Sequence, residues 1–179
     1  MEHSGLGTFS VSVIDVQHKD IDVGLARYPQ LAEAFHVWER WRELRSAPIW
    51  ESVQLVELPP ALVPNTVVVD VIDGGEDLRF RFWGTALVNL YDEELTGTLF
   101  SEATRPGFIE GAWPQYRRVM DTGTPSFYEV TLRRPNNIVA HRANLRLPVH
   151  DALGRVSKII TVAEIESRLT TRPRASTVH

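Results

Sequence analysis

The chain has 179 residues, of which 43% are hydrophobic and 23% are charged, a balance typical of one globular domain with extensions. Its net charge of -4 argues against a surface that binds nucleic acid or an anionic membrane. Because there is no cysteine, the sequence excludes disulfides, thiolate zinc sites, thiol nucleophiles and cofactors bonded through sulfur. It also has no long apolar run, so we expect neither a signal peptide nor a membrane span. We therefore expect a cytoplasmic protein.

Two features are predicted before the main domain, an N-terminal arm over residues 1–24 and a helix with its connector over residues 25–64. The alternation of apolar residues in the arm would also fit an added edge strand. The helix begins at Pro29 and ends before Pro48, and its apolar stripe consists of Leu31, Ala34, Phe35, Trp38, Trp41 and Leu44. A stripe this aromatic needs a partner surface, which is either the chain's own sheet or a second copy in a homodimer.

Five strands are predicted next, and their order with the helices indicates an α+β fold. They are expected as antiparallel hairpins near Val67–Ile72, Leu78–Trp83, Ser126–Arg133, Val139–Pro148 and Val156–Ile165. Short helices are predicted between the second and third strands, one of them with Pro114 in its first turn. Residues 65–166 therefore form the main domain, and residues 167–179 are predicted to be a fraying polar tail.

The strands are expected to be covered on both sides, because the first and the last are apolar on both faces. The short helices should cover the inner face, and the N-terminal helix should cover the outer face. In the fourth strand the alternation divides the side chains into two sets. We expect His141, Ala143, Leu145 and Leu147 to point inward, and Arg142, Asn144 and Arg146 to point outward.

Three stretches, taken in order, resemble the PAS family. FWGTAL at 82–87 with DEELTG at 92–97 is similar to its strand, short helix and E-E-L-x-G turn. VMDTGTP at 119–125 is similar to its long helix and T-G-x-P exit, and LPVHDALGRV at 147–156 to its P-x-x-D-x-x-G-x-V hairpin. The tryptophan-rich N-terminal helix further resembles a group of stand-alone bacterial PAS proteins. The resemblance implies a five-stranded antiparallel sheet with short helices and a ligand cavity on one face.

The function that this resemblance implies is a non-enzymatic sensory or regulatory module that binds a small organic ligand, a protein partner or both. Glu164-Ile165-Glu166 stands where PAS sensors commonly have D-I-T before an output helix, and only a polar tail follows. The sequence also contains no kinase, nucleotide-cyclase or helix-turn-helix motif. We therefore expect the output to pass through a separate signalling protein.

No cofactor is expected. The flavin photosensors of the family use a cysteine after the E-E-L-x-G turn, and this chain has none. Its haem sensors often use a histidine on the long helix, and residues 101–123 contain none. The histidines also lack the spacing of metal ligands. The purified protein should therefore be colourless above the aromatic absorption band.

Five residues are candidate ligand contacts, although each would also fit a purely structural role. Tyr91, Trp113 and Tyr116 are aromatic residues with polar tips on the helical cover, a mixture that builds either a pocket or a core. Arg105 suits a ligand carboxylate at the mouth of the cavity, or lies in solvent. His141 is expected to be the inward polar group on a central strand.

The alternative function is a small α+β enzyme that uses a helix-covered pocket with His141 as general base. Such an enzyme requires a carboxylate that orients this histidine inside the cavity. A sensor should instead have an apolar cavity without such a pair. The two hypotheses therefore differ in the position of one side chain.

Overall fold

A computed structural model of the chain describes residues 11–103, 108–133 and 139–168. The described strands form one antiparallel sheet in the order β1-β4-β5-β6-β2-β3. These strands are β1 (Ser12–Lys19), β2 (Thr66–Ile72), β3 (Asp77–Trp83), β4 (Ser126–Arg133), β5 (Val139–His150) and β6 (Val156–Arg168). The α-helices are α1 (Ile21–Leu25), α2 (Pro29–Arg42), α3 (Thr85–Tyr91) and α4 (Phe108–Thr122). The predicted α+β class and the antiparallel sheet are confirmed.

The sheet has six strands rather than the five that the sequence predicted. The additional strand is β1, which pairs with β4 from Ser12 opposite Arg133 to Lys19 opposite Phe127. The prediction of an arm over residues 1–24 is therefore wrong for Ser12–Lys19, which form the edge strand that was the alternative. The pairing has a physical advantage, because it covers the backbone groups of β4 that would otherwise lie at the edge of the sheet.

Some predictions concern residues outside the described ranges. They are the N-terminal arm before residue 11, the turn at 135–137, the break at 106–107 and the tail from residue 169 onward. Within the described ranges, no helix is long and apolar enough to cross a membrane.

The outer face of the sheet is covered by α2, which begins at Pro29 as the sequence predicts. The helix buries Leu31, Ala34, Val37, Trp38 and Trp41 against a surface made of Val68, Leu145, Leu147, Ile160 and Val162. The indole N–H of Trp38 donates to the carbonyl oxygen of Pro148 at 2.9 Å, which fixes the helix to β5. The partner surface of the aromatic stripe is therefore the chain's own sheet.

Two details of α2 differ from the prediction. The helix ends at Arg42, so Leu44 lies beyond it and is fully exposed instead of completing the stripe. Phe35 lies at the edge of the buried face and is only partly covered. Val37, which the sequence analysis did not assign to the stripe, is buried.

The inner face of the sheet is covered by α3 and α4. Gly84 begins α3 where the chain passes against the backbone of Pro64, so closely that a Cβ atom would collide with it. Helix α4 begins at Phe108, so Pro114 lies inside the helix and not in its first turn as predicted. It ends at Thr122, and the next residue, Gly123, has a φ of 64°, which fits the left-handed stop that glycine favours. These two helices form the roof over the inner face.

Candidate functional site

Strand β5 presents its two faces in the opposite sense to the sequence prediction. Leu145 and Leu147 are buried against α2 on the outer face. Arg142, Asn144 and Arg146 instead lie on the inner face, under α3 and α4. The period of two is correct, but the assignment of the faces is wrong. Both faces of this strand are covered by helices, so alternation alone does not tell which set lies under which helix.

A narrow cavity of about 20 Å³ lies between this inner face and the two covering helices. The polar side chains that line it are Asn65, Tyr116, Arg142, Asn144, Arg146 and Thr161. A cavity of this size has room for about one water molecule. The sequence analysis expected, for a sensor, an apolar cavity without a histidine–carboxylate pair. The lining formed by the described residues contains no such pair, and it combines polar groups with apolar side chains, which are Val67, Trp83, Leu87, Ala112 and Ala163.

Arg146 is the most deeply buried cation of this site, with 2% of its surface exposed. Its Nε and Nη2 donate to Gln115 Oε1 at 3.1 and 2.9 Å, and its Nη1 donates to Thr161 Oγ1 at 2.7 Å. The guanidinium lies 3.9 Å from the centre of the Tyr116 ring, a cation–π contact. Burial, assisted by the nearby charge of Arg142, lowers the pKa of Arg146. Arginine nevertheless keeps its charge in proteins, so the cavity contains a buried cation.

Gln115 is oriented by a second hydrogen bond. Its Nε2 donates to the carbonyl oxygen of Gly111 at 2.8 Å, one turn earlier in α4. The amide oxygen is therefore the atom that faces the guanidinium of Arg146, and it accepts two of its hydrogen bonds. This arrangement positions Arg146 through a helix and not through a flexible loop.

Arg142 and Asn144 are only partly satisfied. Arg142 Nη1 donates to the hydroxyl oxygen of Tyr91 at 2.6 Å, but its buried Nε has no hydrogen-bond partner among the described residues. Asn144 is 1% exposed, and neither its Oδ1 nor its Nδ2 has a partner among those residues. A buried polar group without a partner costs about 1–3 kcal/mol, so these atoms require an explanation.

The candidate residues from the sequence fall into three groups. Tyr91 and Tyr116 are each buried next to an arginine of the site, Tyr91 at Arg142 and Tyr116 at Arg146, and of the two only Tyr116 lines the cavity itself. Trp113 is half-buried in α4, 5.6 Å from the ring of Phe100, and is not part of the cavity lining. Arg105 lies outside the described residues. A ligand contact by any of these residues stays a prediction.

His141 is exposed, on the face of β5 opposite to the cavity. Its Nδ1 lies 3.4 Å from Thr131 Oγ1, and the residue pairs with Glu166 across the strands. The predicted inward orientation of His141 is wrong, for the same reason that the faces of β5 are reversed. The alternative enzyme therefore lacks the base on which it depended.

The site shows no metal-binding arrangement within the described ranges, where no group of three or more histidine, aspartate or glutamate side chains could hold an ion. The side chains that line the cavity offer a pair of guanidinium groups, two amides, one phenol and one hydroxyl group. Such a set binds and orients a polar group, and it contains no nucleophile activated by a base.

The comparisons with known proteins give a structural likeness. No protein-family model matches the sequence, and no curated protein matches it. A solved structure of a light-oxygen-voltage domain, described in connection with a flavin analogue, is similar to part of this chain. The TM-score is 0.42 at 14% identity, and the similarity covers 57% of this chain and 77% of that one. At this level the likeness carries no conclusion about function, which has to come from the chain's own residues.

Proposed function

We propose that this chain is a non-enzymatic PAS-type regulatory module that binds a small molecule between the inner face of its sheet and the roof formed by α3 and α4. One observation carries the proposal: buried polar atoms of Arg142 and Asn144 face a cavity and have no partner among the described residues. A face that served stability alone would be expected to be apolar, as the outer face is. A bound molecule would supply the missing partners.

Asn144 provides a sharp test, because leucine has nearly the same shape and no polar atoms. The first measurement is native mass spectrometry of the purified chain, followed by a thermal-shift screen of small molecules that includes acids, bases and neutral compounds. We expect some compounds to raise the melting temperature in a concentration-dependent way. Asn144→Leu should abolish their effect, whereas Gln54→Leu, at an exposed amide outside the cavity, should leave it unchanged.

Two results would overturn this function. The first is that no compound of any charge class binds the full chain. The second is that the bound compounds stabilise Asn144→Leu as strongly as the unchanged protein, because their site would then lie elsewhere.

A homodimer and a separate signalling protein are further parts of this proposal. The apolar side of α2 is covered by its own sheet, so a dimer through this helix would use the polar side. Light scattering of the full chain, with and without a bound compound, measures the oligomeric state.

A further inference from the structure

The inner face of β5 carries two cations at alternate positions, with one amide between them. Arg142, Asn144 and Arg146 are 9%, 1% and 2% exposed, and all three line the same cavity. Like charges placed close together in a buried space raise each other's free energy, and the charge of Arg142 indeed lowers the pKa of Arg146. The arrangement is therefore unfavourable in the absence of a negative charge.

No negative charge compensates these cations among the described residues. Neither arginine forms an ion pair with a described carboxylate, and the cavity lining contains no aspartate or glutamate. Their partners are neutral: Gln115 and Thr161 for Arg146, and Tyr91 for Arg142. A buried charge is normally paired, because desolvation is costly when no opposite charge lies nearby.

Two buried hydrogen-bond donors of the site also lack an acceptor. Arg142 Nε and Asn144 Nδ2 have no acceptor within the part of the chain that the structure describes. The Oδ1 atoms of Asn144 and Asn65, which are acceptors, also have no partner there. The excess at this site is therefore one of positive charge, and the unpartnered atoms are two donors and two acceptors.

We propose that the molecule bound here is a small carboxylate, held by Arg142 and Arg146 with Asn144 between them. This inference rests on the proposed function and adds the chemical class of the ligand. A carboxylate supplies the missing negative charge and accepts several hydrogen bonds from guanidinium groups at once. The cavity of about 20 Å³ has room for about one water molecule as it stands, so binding must displace that water and move the covering side chains, and only the smallest carboxylates fit. Acetate is the natural probe.

The test compares acetate with acetamide, which has nearly the same shape and no charge. The full chain is titrated with each at constant ionic strength, and the side-chain Nε–H signals of the arginines are followed by ¹⁵N NMR. Acetate should bind with saturation and shift the signals of Arg142 and Arg146. Acetamide should bind at least about 10-fold more weakly, since hydrogen bonds between two charged groups are stronger than those that a neutral amide accepts.

Variants test the two arginines against a matched control. Arg146→Met and Arg142→Met should each weaken acetate binding about 10-fold or more, whereas Arg79→Met, at an exposed arginine of β3, should not change it. Arg146→Lys keeps the charge, and should retain part of the affinity. The comparison of acetate with acetamide in the unchanged chain does not depend on how any variant folds.

The possible outcomes distinguish a failure of carboxylate binding from a failure of the proposed small-molecule binding. If acetamide or another neutral compound binds as tightly as acetate, the carboxylate class is wrong while ligand binding stands. If formate, acetate, propionate and pyruvate all fail to saturate while neutral compounds bind, the same conclusion follows. If only water occupies the cavity and no compound of any class binds, both proposals are wrong.

Discussion

The two faces of the central strands serve different purposes. On the outer face, Leu145 and Ile160 join Trp38 and Trp41 in an apolar core. On the inner face the same strands present Arg146 and other polar groups to a cavity. Burial of apolar surface stabilises the outer layer, whereas the inner layer keeps groups whose burial opposes folding. Residues that cost stability are typical of functional sites, so this difference supports the proposal that the inner face carries the function.

The largest effect is expected on the outer face, for Trp38→Ala. The side chain is 3% exposed and its indole N–H donates to the carbonyl oxygen of Pro148, so truncation leaves both a cavity and an unpaired acceptor. We expect a loss of about 3–5 kcal/mol in the free energy of unfolding, measured by urea denaturation. Leu44→Ala is the control, because Leu44 is fully exposed and should change stability by less than about 0.5 kcal/mol. A loss below about 1 kcal/mol for Trp38→Ala would contradict the outer core.

The inner face should respond in a different way. Arg146→Met alone removes the donors of Gln115 Oε1 and should cost about 1–3 kcal/mol, because that oxygen remains buried without a partner. Adding Gln115→Leu removes the unpaired oxygen as well. The double variant should be as stable as the unchanged chain or more stable, since apolar replacements of buried charges are often neutral or stabilising.

Urea denaturation of both inner-face variants measures this difference. A double variant that remains less stable than the single one would mean that the polar set stabilises the fold, which would weaken its assignment as a ligand site.

An ion-paired cluster on the sheet provides the third comparison. Asp70 of β2 accepts from Arg81 of β3 at 2.8 Å and lies 3.2 Å from Lys158 of β6, so this charge, unlike that of Arg146, is paired. Burial alone would raise the pKa of Asp70, but the hydrogen bonds from Arg81 and Lys158 outweigh it and lower the pKa. A carboxyl group with a lowered pKa contributes stability above its ordinary value of about 4, and that stability is lost as the pH falls through the folded-state value.

Asp70→Asn should therefore cost roughly 1 kcal/mol at pH 7, as expected for a partly exposed cluster, and less at pH 3. The measurement is urea denaturation at both pH values. An equal cost at pH 7 and at pH 3 would show that the carboxylate charge is not what stabilises the three strands.

Much of the fold could be predicted from the sequence, because strong periodic patterns carry that information. The helix that begins at Pro29 and the turn glycine at Gly123 follow from local chemistry. The edge strand β1 did not follow, since its pairing with β4 depends on a distant segment and its own residues are mostly exposed. A half-exposed edge strand has a weak hydrophobic pattern, and the arm was the simpler interpretation.

The candidate site was predicted only in part. Tyr91 and Tyr116 were identified as aromatic residues with polar tips, but Arg142 and Arg146 were placed on the opposite face of the strand. The apolar set containing Leu145 fits against the aromatic stripe of α2 better than against α3 and α4, which carry tyrosine hydroxyl groups. This difference could have shown which face of β5 each set of side chains occupies. Alternation gives two sets of residues, and only their partners on the covering helices tell which set is which.

The smallest predicted effect concerns Glu164, which lies on β6 opposite Ala143. Its Oε2 is buried without a hydrogen-bond partner among the described residues, and burial, with the nearby charge of Glu166, raises the pKa of its carboxyl group. A carboxyl group with a raised pKa destabilises the folded state when it is ionised, and this penalty disappears as the pH falls below the ordinary value.

Glu164→Gln should therefore raise the melting temperature slightly at pH 7, and the gain should vanish near pH 4, where the carboxyl group is protonated in both states. Scanning calorimetry at several pH values measures the difference. Glu76→Gln, at an exposed position outside the sheet pairs, should leave the melting temperature unchanged throughout. Because Glu164 lies beyond the cavity, its replacement should also leave acetate binding unchanged, in contrast to Arg146. A gain that persists at pH 4 would show that shape, and not the buried charge, accounts for the effect.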